Sequence, residues 1–268
     1  MGSPPGTAPI TQLEIDTTRA RVRTILEEAH KRSASSGKPL LIMVGEDHAS
    51  NHSALLETII YQEARKLGIH DIALELPSHP QSASSNLALA SVQQGQVIRD
   101  NLMGHITTHR QADYFQDRVH YVDDRHHLAV ENVKTGQIAL DPRNDKMAEN
   151  LHKINRPTLL IAGAKHLEGL DARMAQYNSH EVVTFDVMHP TIAKETSHKA
   201  LKNNHSHVLS MQGDTTHLTA ASFFTAGMGK EEATKFLDWA KEQKLTRTPE
   251  QAARVRKEVE AELKKDRK

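Results

Sequence analysis

Leu40-Leu41-Ile42-Met43-Val44-Gly45-Glu46-Asp47-His48 decides how this chain is read, because its pattern returns as Leu159-Leu160-Ile161-Ala162-Gly163-Ala164-Lys165-His166. Each apolar run is too short for a helix and has no wet face, so it reads as a strand covered on both sides of a sheet. The glycine ends the strand at a tight turn or a close backbone approach. In open α/β sheets, groups just past the carboxyl ends of the strands face the crevice that binds ligands. Two separate strands thus deliver His48 and His166 to one rim, which is the expected active site.

Working outward, strands alternate with helices. Thr11-Gln-Leu-Glu14 has the spacing of a capping box, and Leu13, Val22, Ile25, Leu26 and Ala29 form a helical stripe. Ser53 to Leu67 reads as a helix with Leu55, Leu56, Ile59 and Ile60 inward and Gly68 as its stop. Ile72 to Leu76 is a second strand closed by Pro77, a helix is expected over 86–103, and Val119 to Val122 is a third strand leading into Asp123-Asp124. Helices over Arg143–Ile154 and Glu168–Tyr177 flank the strand 158–162, and strands follow at Glu181–Asp186 and Val208–Met211. The alternation predicts an α/β fold: a mostly parallel central sheet with helices on both faces, plus C-terminal helices. The expected organisation is a flexible leader over 1–10, an α/β catalytic-type domain over 11–228 and a helical extension over 229–268. That extension is broken near Thr246–Pro249, and its last stretch, Ala252 to Lys268, is a charged, solvated terminal helix.

With 268 residues the chain can bury a substantial core. Its 34 Lys plus Arg balance 34 Asp plus Glu, which argues against a nucleic-acid partner. There is no cysteine, so disulfides, thiolate zinc sites and a cysteine nucleophile are excluded. No apolar run approaches membrane-spanning length and no secretory signal is visible, so the expectation is a soluble protein, cytoplasmic or delivered as an effector. Most of the 18 histidines are scattered and solvated; position at a strand end is what singles out His48 and His166.

Glu46 and Asp47 precede His48, and His52 follows one helical turn later, where a place on the helix surface is expected. Glu75 lies near the carboxyl end of the second strand, and Asp123 and Asp124 close the third. His48, Glu75 and His166 make a nitrogen-and-oxygen set that suits a divalent metal such as zinc, manganese or cobalt. Without a metal the same groups serve as general base and acid, a carboxylate orienting an imidazole that activates water. Arg143 opens a helix, from which it can reach a carboxylate or bind an anionic group of the substrate.

These pieces together resemble the erythromycin esterase-like, ChaN-like and TraB/Tiki superfamily. Gly45 to His48 looks like its first motif, Arg143 to Asn150 is similar to its arginine helix, and Gly163 to Leu170 looks like its last, so the resemblance covers about residues 38–190. It implies an α/β sandwich whose site holds both histidines, a glutamate and an arginine. Members diverge: Tiki proteins are metal-dependent proteases, erythromycin esterases open a macrolactone without an evident metal, ChaN-like proteins bind haem, and related domains occur in bacterial toxins. Glu46, two residues before His48, looks like the esterase and ChaN-like branches, so ester or amide hydrolysis is expected over peptide cleavage.

The leading expectation is therefore a hydrolase of a small-molecule or peptide substrate. In it His48 and His166 bind a metal or activate water, Glu46 and Glu75 act as base or orienter, and Arg143 holds the substrate or a developing negative charge. The alternatives are a haem- or metal-binding module without catalysis, and a toxin or effector domain.

Overall fold

A computed structural model describes residues 8–47, 50–77, 103–123, 140–187, 205–215, 218 and 225–242. Its strands are β1 (Leu40–Glu46), β2 (Asp71–Pro77), β3 (Arg118–Asp123), β4 (Thr158–Gly163), β5 (Glu181–Val187) and β6 (Ser206–Leu209). They form one sheet in the order β3-β2-β4-β1-β5-β6, parallel at every pairing. The helices are α1 (Gln12–Ser36), α2 (Asn51–Lys66), α3 (Met103–Phe115), α4 (Leu140–Ile154), α5 (Leu167–Tyr177) and α6 (Lys230–Glu242). The mostly parallel α/β architecture expected from the alternation is present.

Strand parity divides the core. Leu40, Ile42 and Val44 of β1, with Ile72 and Leu74 of β2, join α1, α2 and Ala112 of α3 on one face. Leu41, Met43 and Ala73 join Met147, Ala148 and Leu151 of α4 and Leu167, Leu170 and Met174 of α5 on the other. The order of the strands explains which helix goes where. The chain steps toward the β3 edge through α2 and α3, then reverses through α4 and α5, and a reversal moves the helices to the opposite face when every crossover keeps one hand. β4 therefore sends its chain to the face opposite the one used by its neighbours β1 and β2. Ligand crevices open at such a switch point.

β1 and β4 are buried along their whole lengths, as strands covered on both faces must be. They are direct neighbours, with Gly45 opposite Ala162 and Glu46 opposite Gly163. Local signals hold as well. The Glu14 N–H donates to the Thr11 hydroxyl at 3.2 Å, as a capping box requires, although the Glu14 carboxylate turns away to accept from the Gln212 N–H at 2.5 Å. Gly68 follows α2 at φ 79°, a conformation that stops the helix.

The bounds of the last strand shift, and other expectations meet the described residues only in part. The helix expected over 86–103 lies outside the described residues except at its end, and the helix described after it is α3, which packs Ala112 and Phe115 against the core. The last strand is Ser206–Leu209 rather than Val208–Met211, because pairing with β5 runs from Thr184↔Ser206 to Val187↔Leu209. Val208 is accordingly 44% exposed, while Met211 packs into the core beyond the strand. The end of the leader is held in place: the Ile10 N–H donates to the Asp214 carbonyl at 3.0 Å and the Asp214 N–H to Ala8 at 2.8 Å. Asp124, the break at 246–249 and the stretch 252–268 lie outside the described residues. The start of the helical extension is α6, which docks through Phe236, edge-on to Tyr114 of α3 at 5.2 Å between ring centroids.

Candidate active site

β4 ends at Gly163, and a single turn of 3-10 helix, Ala164–His166, carries His166 over the sheet before α5 begins. That turn passes so close to β1 that a Cβ on Gly45 would sit 2.3 Å from Leu167 Cδ1 and 3.0 Å from Ala164 Cα. The glycine of the first motif is thus required by the second. His166 is 3% exposed. Its Nε2 lies 3.3 Å from Oε1 of Glu75, and its Nδ1 lies 2.6 Å from Oδ1 of Asn144 on α4.

Glu75 is the centre of the cluster. Parity with Ala73 puts it on the α4/α5 face of β2. Its Oε1 accepts from Nη2 of Arg143, and its Oε2 accepts from the Gly163 N–H at 2.7 Å. Arg143 also donates through Nε to Oδ1 of Asp123 at 3.1 Å and through Nη2 to Oδ2 at 2.6 Å. One guanidinium thus clamps the ends of β2 and β3 from the first turns of α4. Burial alone would raise the Glu75 carboxyl, but His166, Arg143 and the Gly163 N–H outweigh it and hold it well below the usual carboxylate range. Burial likewise works against the Arg143 charge, yet the hydrogen bond to Asp123 and the field of Glu75 raise its pKa.

The rest of the arginine helix serves this placement. Met147 and Ala148 are fully buried against the sheet, and Asn150 Nδ2 donates to the Val122 carbonyl at 2.9 Å, tying α4 to the end of β3. The spacing Arg-x-x-x-Met-Ala-x-Asn is therefore one face of a helix docked over β3.

Glu75, Arg143 and His166 come together, joined by Asp123. His48 lies outside the described residues. Glu46 does not join them: parity with Ile42 and Val44 directs it to the α2 face, where it lies beside Glu57. Glu57 is fully buried, and burial first, then the charge of Glu46, push its carboxyl well above the usual range. An acid among the apolar residues of the α2 stripe was the available signal for it. His52, expected on the helix surface, is 6% exposed and donates from Nε2 to the Gly213 carbonyl at 2.7 Å. The surface expectation fails because the loop after β6 packs over the start of α2.

Among the described residues no three His, Asp or Glu side chains converge as a metal site needs. Glu75 and Asp123 are paired instead with a cation already present, the Arg143 guanidinium. No family model, curated protein or solved structure matches the chain in comparisons with known proteins.

Proposed function

We propose that the protein is a hydrolase of ester or amide bonds in which His166 is the proton-transferring base. The observation that carries this reading is the 3.3 Å contact between His166 Nε2 and a Glu75 carboxylate held ionised from behind by Arg143. Glu75 is ionised and can only accept, so Nε2–H donates to it, and Nδ1, beside the Asn144 amide, is the nitrogen with a lone pair. It takes a proton from water as the oxygen attacks the carbonyl carbon. The imidazolium so formed faces Glu75, whose fixed charge stabilises it as it develops. Collapse of the tetrahedral intermediate breaks the carbon–oxygen or carbon–nitrogen bond, and Nδ1–H protonates the leaving group. Glu75 is too weak a base and too fully ionised to serve as the acid itself. Arg143 is engaged by two carboxylates, so its part is to hold Glu75 rather than the substrate. The motif resemblance to erythromycin esterase-like proteins supports the same reaction class.

A screen of chromogenic esters and amides tests this. His166→Gln should lower turnover of any substrate found by about 10²–10⁴-fold, and Glu75→Gln should fall in the same direction. Chelator-treated protein should keep its activity. Loss on chelation, restored by zinc, manganese or cobalt, would replace this reading with a metal-assisted one.

A further inference from the structure

We propose that Tyr121 is the nucleophile of a second site, with His109 as its base and Asp113 as the positioning residue behind that base, and that it takes an acyl group from a neutral ester. Tyr121 lies on the opposite face of the sheet from Glu75, so the proposal does not rest on the role given to His166.

β3 is an edge strand of the described sheet. Tyr121 stands opposite Leu74 and so points to the face that α2 and α3 cover, where it packs half-buried at the margin of the core. His109 and Asp113 are one turn apart on α3, so both face the same side of that helix. The Tyr121 hydroxyl lies 2.9 Å from His109 Nε2, and His109 Nδ1 lies 3.1 Å from Asp113 Oδ2. A carboxylate only accepts, so Nδ1 carries the proton and Nε2 presents its lone pair to the phenol, which donates. The two rings are within 17° of parallel with centroids 6.2 Å apart, so they meet edge to edge, in the plane where that lone pair points. A half-buried tyrosine needs only one acceptor, and a backbone carbonyl would do. A hydroxyl on an imidazole whose second nitrogen is held by a carboxylate is the arrangement that activates a nucleophile. Burial first, then the charge of Asp113, raise the Tyr121 phenol, so it does not ionise by itself at neutral pH and depends on that base. In the step, the phenol oxygen bonds to the carbonyl carbon as its proton passes to Nε2. The tetrahedral intermediate then expels the alcohol, which takes the proton back and leaves an ester on Tyr121. Asp113 stabilises the imidazolium in between, and the same charge repels a phosphate or sulfate ester, so a neutral donor fits. The His109 side chain is 17% exposed and that of Asp113 38%, so the donor meets them from solvent.

The test treats the full-length protein at neutral pH with phenylmethanesulfonyl fluoride, a neutral electrophile whose sulfur is attacked as a carbonyl carbon is. The oxygen–sulfur bond forms, fluoride leaves, the phenolic proton goes to Nε2, and the adduct persists. Peptide mapping by mass spectrometry then ranks the four tyrosines. Tyr121 should be labelled first, ahead of Tyr177, which is 41% exposed and serves as the internal standard. His109→Gln should slow labelling of Tyr121 relative to Tyr177 by about 10²-fold, and Asp113→Asn should slow it in the same direction. Tyr121→Phe should remove that adduct while Tyr177 reacts as before. Labelling of Tyr177 ahead of Tyr121 in wild type, or an unchanged ratio in His109→Gln, overturns the proposal. Tyr61 is fully buried, so a label there reports unfolding. Should His109→Gln show it, Asp113→Asn decides: a slowed Tyr121 supports the proposal and an unchanged one overturns it.

Discussion

At the scale of the residue, two buried charge arrangements differ in kind. Arg143, 7% exposed, is the counter-ion of Glu75 and Asp123 together. Reading it as a substrate-binding arginine predicts a folded but slow Arg143→Ala. The structure predicts otherwise: removal leaves two carboxylates buried without their cation, a loss of about 3–5 kcal/mol. Chemical denaturation should show it, and a midpoint equal to wild type would return Arg143 to the substrate. Glu57 is the opposite case. Its carboxyl is raised, so the folded state holds a proton that the unfolded chain releases. Stability from this group is full below the unfolded value near about 4.3 and is lost as pH rises through the folded value. Glu57→Gln, which mimics the neutral acid, should flatten the alkaline part of the stability profile; an unchanged profile would mean that Glu57 is ionised in the fold.

At the scale of the element, the site depends on two adjacent strands ending in step. β1 and β4 are in register through Gly45↔Ala162 and Glu46↔Gly163, and the turn after β4 crosses directly over Gly45. Gly45→Ala would push that turn away and should cost about 1–3 kcal/mol. His166 sits in the displaced segment, so its distance from Glu75 should grow and turnover should fall with stability. A crystal structure of the variant with the 164–167 turn unmoved would show that Leu167 absorbs the methyl by itself. The α4 contribution is equally geometric: Arg143, Asn144 and Met147 share a buried flank, while Asp145 and Lys146 between them point outward.

At the scale of the whole molecule, acid should weaken the protein from both ends of the sheet. His180, 6% exposed just before β5, has its pKa lowered to about 4, by burial first and then by His152 nearby. Its Nδ1 meets the Ser179 hydroxyl at 2.9 Å, and its Nε2 has no partner among the described residues. The folded state resists a proton that the unfolded chain accepts near about 6.5, so this stability is whole above that pH and drains away toward about 4, by up to about 3 kcal/mol. Glu75, depressed at the opposite edge, adds its own loss as pH falls below the unfolded carboxylate value. Thermal unfolding followed from neutral pH to pH 4 should show the midpoint falling first through the histidine range, and His180→Phe should remove that first stage.

Much of this was legible in the sequence because it is local. Apolar runs of strand length, the Thr11 cap and the glycine after α2 act over a few residues, and they specified the parallel α/β layering and the placing of His166 and Glu75 at strand ends. α3 was not legible, since its buried side includes the polar Thr108 and Gln111 beside Ala112 and Phe115, and neither was the span of β6, which its pairing with β5 sets. The site itself joins distant positions: Arg143 reaches across 68 residues to Glu75, Gly163 across 88 to the same carboxylate, and Asn144 across 22 to His166. Which residues a chain offers is written along it. Whether an arginine neutralises a buried carboxylate or waits for a substrate, and whether Glu46 shares a face with Glu75 or turns to Glu57, follows from strand order, strand parity and the face taken by each crossover, and these exist only once the sheet has closed around them.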